Sequence, residues 1–170
     1  MSKTIIYIAA DWDNDIQIVN QLREWNNSDK YSLDFSDAHD LTQSRDTSLY
    51  CSIKSSLSKR LRASKIFILI VGEHTKNLTK GKCCYCEHYN KYNEKCSHNN
   101  NLDMDSYIEY ECNWAVYYGL KIIVIYNSNI VDRNKCPIRL KYYPNHIPAF
   151  KIIEDSGEKK WNYKYIKDFI

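Results

Sequence analysis

Three runs of apolar residues, each bounded by polar positions, dominate the hydrophobic pattern: Thr4–Ala10, Ile66–Val71 and Lys121–Tyr126. Apolar runs that do not alternate with polar residues are typical of strands buried on both faces. Two shorter segments, Tyr31–Phe35 and Ala149–Ile153, are predicted as the remaining strands, the last one at an edge. The pattern therefore predicts five strands, with Ile66–Val71 at the centre.

Hydrophobic residues at helical spacing fill the intervals between these strands. They predict one helix that ends near Asn26, a second that begins at Thr47, a third that begins at Tyr107, and a closing helix from Trp161 to Ile170. Three segments lack a sustained period and are predicted as loops, namely 36–46, 75–105 and 127–148.

Strands that alternate with helices predict an α/β fold, in which a mainly parallel sheet is covered by helices on both faces. Five strands suit the flavodoxin-like order 2-1-3-4-5, a three-layer arrangement whose ligands lie beyond the carboxyl ends of the strands. With 170 residues the chain is long enough for one core. We expect a single domain over 1–170, with an irregular, Cys-rich insertion at about 75–105.

The formal net charge of +3 is small, and the basic residues are scattered among acids. This distribution argues against a nucleic-acid-binding protein, which usually carries a concentrated basic face. The first residues do not resemble a signal peptide, and no apolar run is long enough to span a membrane. A cytoplasmic location is the expectation, and it makes a disulfide framework from the seven cysteines improbable.

The segment from Ser106 to Gly119 carries the clearest local signals. Ser106 followed by Glu109 is the capping-box pattern of a helix start, and Gly119 supplies the usual left-handed stop. Glu109 therefore has a structural role, whereas Glu111 has none that local sequence explains. Glu111 falls on a stripe with aromatic residues beside the apolar face, where a partly desolvated carboxylate can stabilise positive charge. The alternative is an ordinary solvated acid.

Three features resemble the TIR-domain superfamily, and more closely the TIR-like proteins of bacterial anti-phage Thoeris systems. They are the strand Ile66–Val71, the helix start Tyr107-Ile108-x-x-Glu111, and the segment Gly119–Ile125. The similarity covers roughly residues 3–127. Tyr107 stands where the family often has Trp, and Ala9-Ala10-Asp11-Trp12 lacks the family's frequent Ser-Tyr or Ser-Phe pair.

The resemblance implies an enzyme that cleaves the nicotinamide–ribose bond of NAD⁺, with Glu111 as the catalytic residue. It also implies an ADP-ribose-derived signal for a downstream effector protein, and self-association through TIR surfaces. One carboxylate suffices, because neutral nicotinamide leaves without needing a proton. Candidate contacts to the nucleotide lie at the ligand edge of the sheet and on the third helix: Ala10, Asp11, Trp12, Asp37, His39, Gly72, Glu73, Tyr107 and Trp114.

Two other functions remain open at this point. A non-catalytic TIR-like interaction module would use the loop 37–46 to bind a partner, with Glu111 as a surface acid. A nucleoside deoxyribosyltransferase-like enzyme would exchange bases on the same scaffold.

The cysteines of the insertion form a second candidate site. Cys83-x-x-Cys86 has the spacing with which two thiolates bind one tetrahedral Zn²⁺, and Cys96 is a plausible third ligand. Cys112 or His98 completes the predicted structural zinc site. The alternative is a set of reduced cysteines without a metal. Cys51 and Cys136 are expected to lie apart from this site.

Overall fold

A computed structural model describes residues 3–41, 49–98 and 101–170. Its strands are β1 (Thr4–Ala9), β2 (Phe35–Asp37), β3 (Ile66–Val71), β4 (Tyr89–Asn90), β5 (Lys95–Cys96), β6 (Lys121–Tyr126), β7 (His146–Pro148), β8 (Phe150–Ile152) and β9 (Lys159–Trp161). Its α-helices are α1 (Ile16–Asn27), α2 (Tyr50–Ala63), α3 (Tyr107–Tyr117) and α4 (Tyr163–Phe169).

The central sheet has five parallel strands in the order β2-β1-β3-β6-β7. This order is the flavodoxin-like 2-1-3-4-5, so the predicted α/β fold and the central position of β3 are confirmed. Two small antiparallel hairpins, β4–β5 and β8–β9, lie outside this sheet. The first belongs to the segment that joins β3 to α3.

The core has two layers because successive side chains of a strand point to opposite faces of the sheet. Ile66, Ile68 and Ile70 of β3 belong to the cluster that also holds residues of α1 and α4. The intervening β3 residues join the cluster beneath α2 and α3. All six residues of β3 are buried, as a parallel strand covered on both faces requires.

The second strand does not lie where the sequence pattern placed it. The prediction was Tyr31–Phe35, whereas β2 is Phe35–Asp37 and pairs with β1 from Thr4↔Phe35 to Ile6↔Asp37. Ser32 and Asp34 have positive φ angles of 39° and 54°, which a strand does not accommodate. The shift puts Asp37 at the end of a strand, where its side chain is buried.

The fifth strand also differs from the prediction of Ala149–Ile153. The strand beside β6 is His146–Pro148, paired from Val124↔His146 to Tyr126↔Pro148. Pro148 is tolerated because β7 is an edge strand with no further neighbour in the described sheet. Phe150–Ile152 instead pairs with β9 in a hairpin.

The predicted polar loop 36–46 and the predicted helix from Thr47 are only partly covered. Residues 42–48 lie outside the described part of the chain, and α2 is described from Tyr50. Within the described residues, no helix combines the length and the apolar character needed to cross a membrane.

Lys54 of α2 fixes the end of the β3–α3 segment against the body of the protein. Its side chain is 3% exposed. The ammonium donates to the backbone oxygens of Asp103 and Asp105 at 3.1 and 2.6 Å, and it lies 2.9 Å from the Asp103 carboxylate. The three oxygen partners compensate for the burial of the Lys54 ammonium. Removal of Lys54 therefore leaves these three oxygens without their hydrogen-bond donor.

We predict that Lys54→Met lowers the free energy of unfolding by about 2 kcal/mol, since three partly buried acceptors lose their buried donor. Urea denaturation followed by circular dichroism measures this change. Lys59→Met, on an exposed position of the same helix, is the control and should change stability by less than about 0.5 kcal/mol. Equal effects of the two variants would contradict the assigned role of Lys54.

Candidate active site

The start of α3 is held by the capping box that the sequence predicted. The Glu109 backbone N–H donates to the Ser106 hydroxyl at 3.2 Å, and the Ser106 N–H donates to the Glu109 carboxylate at 2.7 Å. Gly119 has a φ of +66°, which confirms the left-handed stop. Both ends of the helix are therefore fixed by local sequence, and the Glu109 carboxylate binds the backbone N–H at the start of its own helix.

Glu111 projects from the second turn of α3 towards the middle of β1. The Tyr7 hydroxyl donates to its carboxyl oxygen Oε1 at 2.5 Å. Tyr7 is fully buried and Glu111 is only 6% exposed. The acid is thus covered by protein in this structure, whereas the sequence pattern had placed it at the border of the apolar face.

Burial dominates the electrostatics of Glu111. It raises the pKa of the carboxyl from 4.5 to about 8, although the hydrogen bond from Tyr7 and the charge of Arg60 act in the opposite direction. Arg60, on α2, is itself buried. At neutral pH the covered Glu111 is therefore mainly protonated, and its Oε1 still accepts the hydrogen bond from the Tyr7 hydroxyl.

A chain of aromatic and charged side chains leads from Tyr7 towards the surface. The rings of Tyr7 and His39 are 5.0 Å apart, and those of His39 and Trp12 are 5.2 Å apart. His39 Nδ1 lies 2.9 Å from the Asp37 carboxylate, which also pairs with Arg23 at 2.6 Å. The Arg23 guanidinium in turn lies 5.3 Å from the centre of the Trp12 ring.

Asp37 is the ionised member of this chain. Burial by itself would raise its pKa, but hydrogen bonds from His39 and Arg23 lower it to about 2. The structure thus brings together Trp12, Asp37 and His39, three of the predicted nucleotide contacts, and joins them to Glu111 through Tyr7. Trp12 is 39% exposed, so its ring offers a face to solvent at the outer end of the chain.

The other predicted contacts at the ligand edge have local partners. Ala10 is buried directly after β1. The Asp11 carboxylate accepts from the Asp13 N–H at 3.2 Å and from the Asn14 amide at 2.7 Å, which fixes the turn before α1.

Beyond β3, Gly72 lies against the buried carboxyl of Asp15, since a Cβ on Gly72 would come within 2.2 Å of an Asp15 oxygen. Glu73 pairs with Lys135 at 2.5 Å on the surface. Gly72 and Glu73 are thus in contact with other groups of the protein in this structure.

Tyr107 and Trp114 contact other parts of the molecule. Tyr107 packs on Tyr50, at 5.7 Å between ring centres, and its ring fills the space beside Gly81. Trp114 packs on three tyrosines of its own helix region: Tyr110, Tyr117 and Tyr118. Neither ring joins the chain from Tyr7 to Trp12.

The cysteines of the insertion lie together, while the predicted fourth ligand does not join them. Cys83, Cys86 and Cys96 line one small cavity, and Cys51 of α2 lines it too, so the expectation that Cys51 lies apart from this site is wrong. Cys112 belongs to the apolar cluster beneath α3, and His98 is exposed with its ring 4.5 Å from that of His88. None of the seven cysteines, all of which lie in the described part of the chain, forms a disulfide. Among the described residues, no three His, Cys, Asp or Glu side chains are arranged to hold a metal ion.

Sequence reasoning did not identify Tyr7, Arg60 or Arg23 as members of the site. Two of them left a signal. Tyr7 is the polar-tipped residue in an otherwise aliphatic run, and Arg60 shares the buried stripe of Leu57 and Leu61 at helical spacing. A cation on an apolar stripe indicates a buried partner, here the region around Glu111.

The parallel sheet of flavodoxin-like order is consistent with a TIR-like fold. Residues 7–80 match the family model described as Thoeris protein ThsB, TIR-like domain. This segment, which is less than half of the chain, is similar to that family. No curated protein matches the chain. The match extends from β1 to just beyond β3, so Glu111 lies outside the matched segment.

The raised pKa of Glu111 predicts a specific dependence of stability on pH. Between about pH 4.5 and about 8 the folded chain keeps a proton that the unfolded chain releases, so this residue lowers stability as pH rises through that window. Glu111→Gln should remove this component, and it should be more stable than the wild type at pH 8.5 by a few kcal/mol at most. Urea melts at pH 5 and pH 8.5 measure the difference.

Glu109→Gln is the matched control, because glutamine also serves in a capping box. It should retain the wild-type loss of stability between the two pH values. If Glu111→Gln lost as much stability as the wild type over this range, Glu111 would not be the protonated acid of the folded state.

Proposed function

We propose that this protein is a TIR-type enzyme of anti-phage defence that cleaves NAD⁺ between nicotinamide and ribose, with Glu111 as its catalytic residue. The product is an ADP-ribose-derived signal that acts on an effector protein, and self-association through TIR surfaces assembles the active form. The ThsB family match supports the defence role. The observation that carries the catalytic assignment is the buried Glu111 carboxyl, which accepts a hydrogen bond from Tyr7.

Cleavage of the nicotinamide–ribose bond requires one carboxylate beside the ribose. As the C1′–N bond breaks, its electron pair leaves with neutral nicotinamide, and the ribose becomes oxocarbenium-like. Ionised Glu111 stabilises that positive charge and accepts hydrogen bonds from the ribose hydroxyls. The oxygen of water, or an oxygen of the substrate itself, then bonds to C1′ and releases its proton, which gives ADP-ribose or a cyclised product.

The burial of Glu111 means that its carboxyl must lose a proton before it can act in this reaction. A protonated acid cannot stabilise a cation, so the carboxyl must ionise when substrate binds. The positive charge of the nicotinamide ring favours that ionisation, because an opposite charge nearby lowers a carboxyl pKa. We therefore assign the covered structure to a resting state, from which the chain of Tyr7, His39 and Trp12 is displaced to admit NAD⁺.

The residues of that chain fit a nucleotide in two ways. Trp12 offers an aromatic face for a base, and Arg23 is a cation suited to phosphate oxygens. Asp37 holds Arg23 and His39 in place from one buried carboxylate.

A non-catalytic interaction module is the second candidate, and one observation favours it. The Tyr7–Glu111 hydrogen bond joins β1 to α3, so it has a structural role even without substrate. The module predicts no nicotinamide release under any trigger. A nucleoside deoxyribosyltransferase predicts base exchange on nucleosides in the absence of NAD⁺.

We predict that Glu111→Gln lowers kcat/KM for nicotinamide release by at least about 100-fold, because the amide cannot balance the charge of the transition state. Mass spectrometry of nucleotides measures the products, with and without material from phage-infected cells. Glu109→Gln, two positions away, should stay within about threefold of the wild type. Near-normal turnover by a folded Glu111→Gln protein would discard the catalytic assignment.

The pH profile gives an independent prediction. Because kcat/KM reports ionisations of the free enzyme, it should rise with pH along a limb near the Glu111 pKa of about 8. Tyr7→Phe removes a hydrogen bond that lowers this pKa, so the limb should move to higher pH. Tyr126→Phe, which changes a buried tyrosine of β6 bonded to His146, should leave it in place. A wild-type limb near pH 5 would show that Glu111 is already ionised in the free enzyme.

A further inference from the structure

The segment between β3 and α3 encloses a small cavity lined mainly by sulfur and aromatic side chains. Cys83, Cys86 and Cys96 line it, together with Cys51 from α2 and His88. Its volume is about 10 Å³, roughly the space of one water-sized occupant. Four cysteines from three separate parts of the chain therefore meet around room for a single small ligand.

The backbone around Cys83 forms a tight turn, and a backbone amide points at the Cys83 sulfur. Cys83–Tyr85 forms a 3-10 turn, in which the Cys86 N–H donates to the Cys83 carbonyl at 3.0 Å. The Asp103 N–H donates to the Cys83 sulfur at 3.3 Å. An amide aimed at sulfur stabilises the thiolate form, as the outer shell of a metal site does.

One polar group at this place is left unsatisfied. The Tyr107 hydroxyl is buried and has no hydrogen-bond partner among the described residues. Its ring packs on that of Tyr50, which lines the same cavity. A buried orphan donor next to a cysteine-lined cavity indicates that an acceptor, such as a thiolate, belongs there.

We propose that Cys51, Cys83, Cys86 and Cys96 bind one structural Zn²⁺ ion in this cavity. Four thiols release four protons on binding, and the resulting tetrathiolate site is closed to substrate. In the described structure no three metal-binding side chains are yet arranged to hold an ion. Binding therefore requires the cysteine sulfur atoms to move closer together than they lie in this structure.

Cys51 is a better fourth ligand than the alternatives. Cys112 packs in the core cluster beneath α3 and does not line the cavity. His88 does line it, and the variants described below distinguish a His88 ligand from Cys51. Choosing Cys51 also connects the β4–β5 hairpin directly to α2, which no ligand from the insertion itself would do.

The test begins with the whole chain, expressed in zinc-supplemented medium and purified in reductant without chelator. Elemental analysis should find close to one zinc ion per chain, and removal of zinc should lower Tm. Replacement by Co²⁺ should give the thiolate charge-transfer and tetrahedral d–d bands of an S₄ site. The cobalt spectrum of the wild-type chain does not depend on the folding of any variant.

Single Cys→Ser substitutions at positions 51, 83, 86 and 96 should each lower the zinc content and shift the cobalt spectrum. Cys84→Ser is the matched control, because Cys84 follows Cys83 directly and does not line the cavity. His88→Ala should also keep the metal. Absence of zinc and of cobalt thiolate bands in the wild type would overturn the proposal. Loss of metal in His88→Ala but not in Cys51→Ser would overturn the choice of Cys51.

Discussion

The hydrogen bond from Tyr7 to Glu111 is the contact on which the candidate site depends. It joins residues 104 positions apart and connects the first strand of the sheet to α3. A carboxyl taken out of water is tolerated only with a partner, and here the phenol of β1 and the guanidinium of α2 both lower its pKa. Because these partners lie on different elements, the position of Glu111 depends on the packing of the whole layer beneath α2 and α3.

The elements predicted best are those whose signals are local. The apolar runs of β3 and β6 and the capping box of α3 specify their structures within a few residues. The two misplaced strands are three residues long and owe their existence to pairing with a neighbour. In β7 only the central Ile147 is buried, so no pattern in the sequence distinguishes it from loop. The positions of short strands are determined by tertiary contacts, and the strand propensities of the residues do not reveal those contacts.

The site divides in the same way. Glu111 was predictable because its helix and strand neighbours have local signals, and Asp37 and His39 followed from the edge of the sheet. Tyr7 and Arg60 were not, since their relation to Glu111 exists only after folding. The family resemblance also implied a nucleotide contact for Tyr107, and its ring packs against Tyr50 of α2 and beside Gly81. A helical stripe indicates which residues share a face, and it does not indicate which neighbours that face meets.

The segment between β3 and α3 is more than an insertion on the surface, because it forms the support of the helix that carries Glu111. The Tyr107 N–H donates to the Lys80 carbonyl at 2.9 Å. The Cys83 N–H donates to the Asp103 carbonyl, and the Asp103 N–H donates to the Cys83 sulfur. Lys54 of α2 forms an ion pair with Asp103. Each contact fixes the entry into α3 from a different direction. These contacts join the cysteine cavity to the first turn of α3, one turn before Glu111. The helix that carries the buried acid is thus supported at its start by a segment that contributes no side chain to the chain from Tyr7 to Trp12.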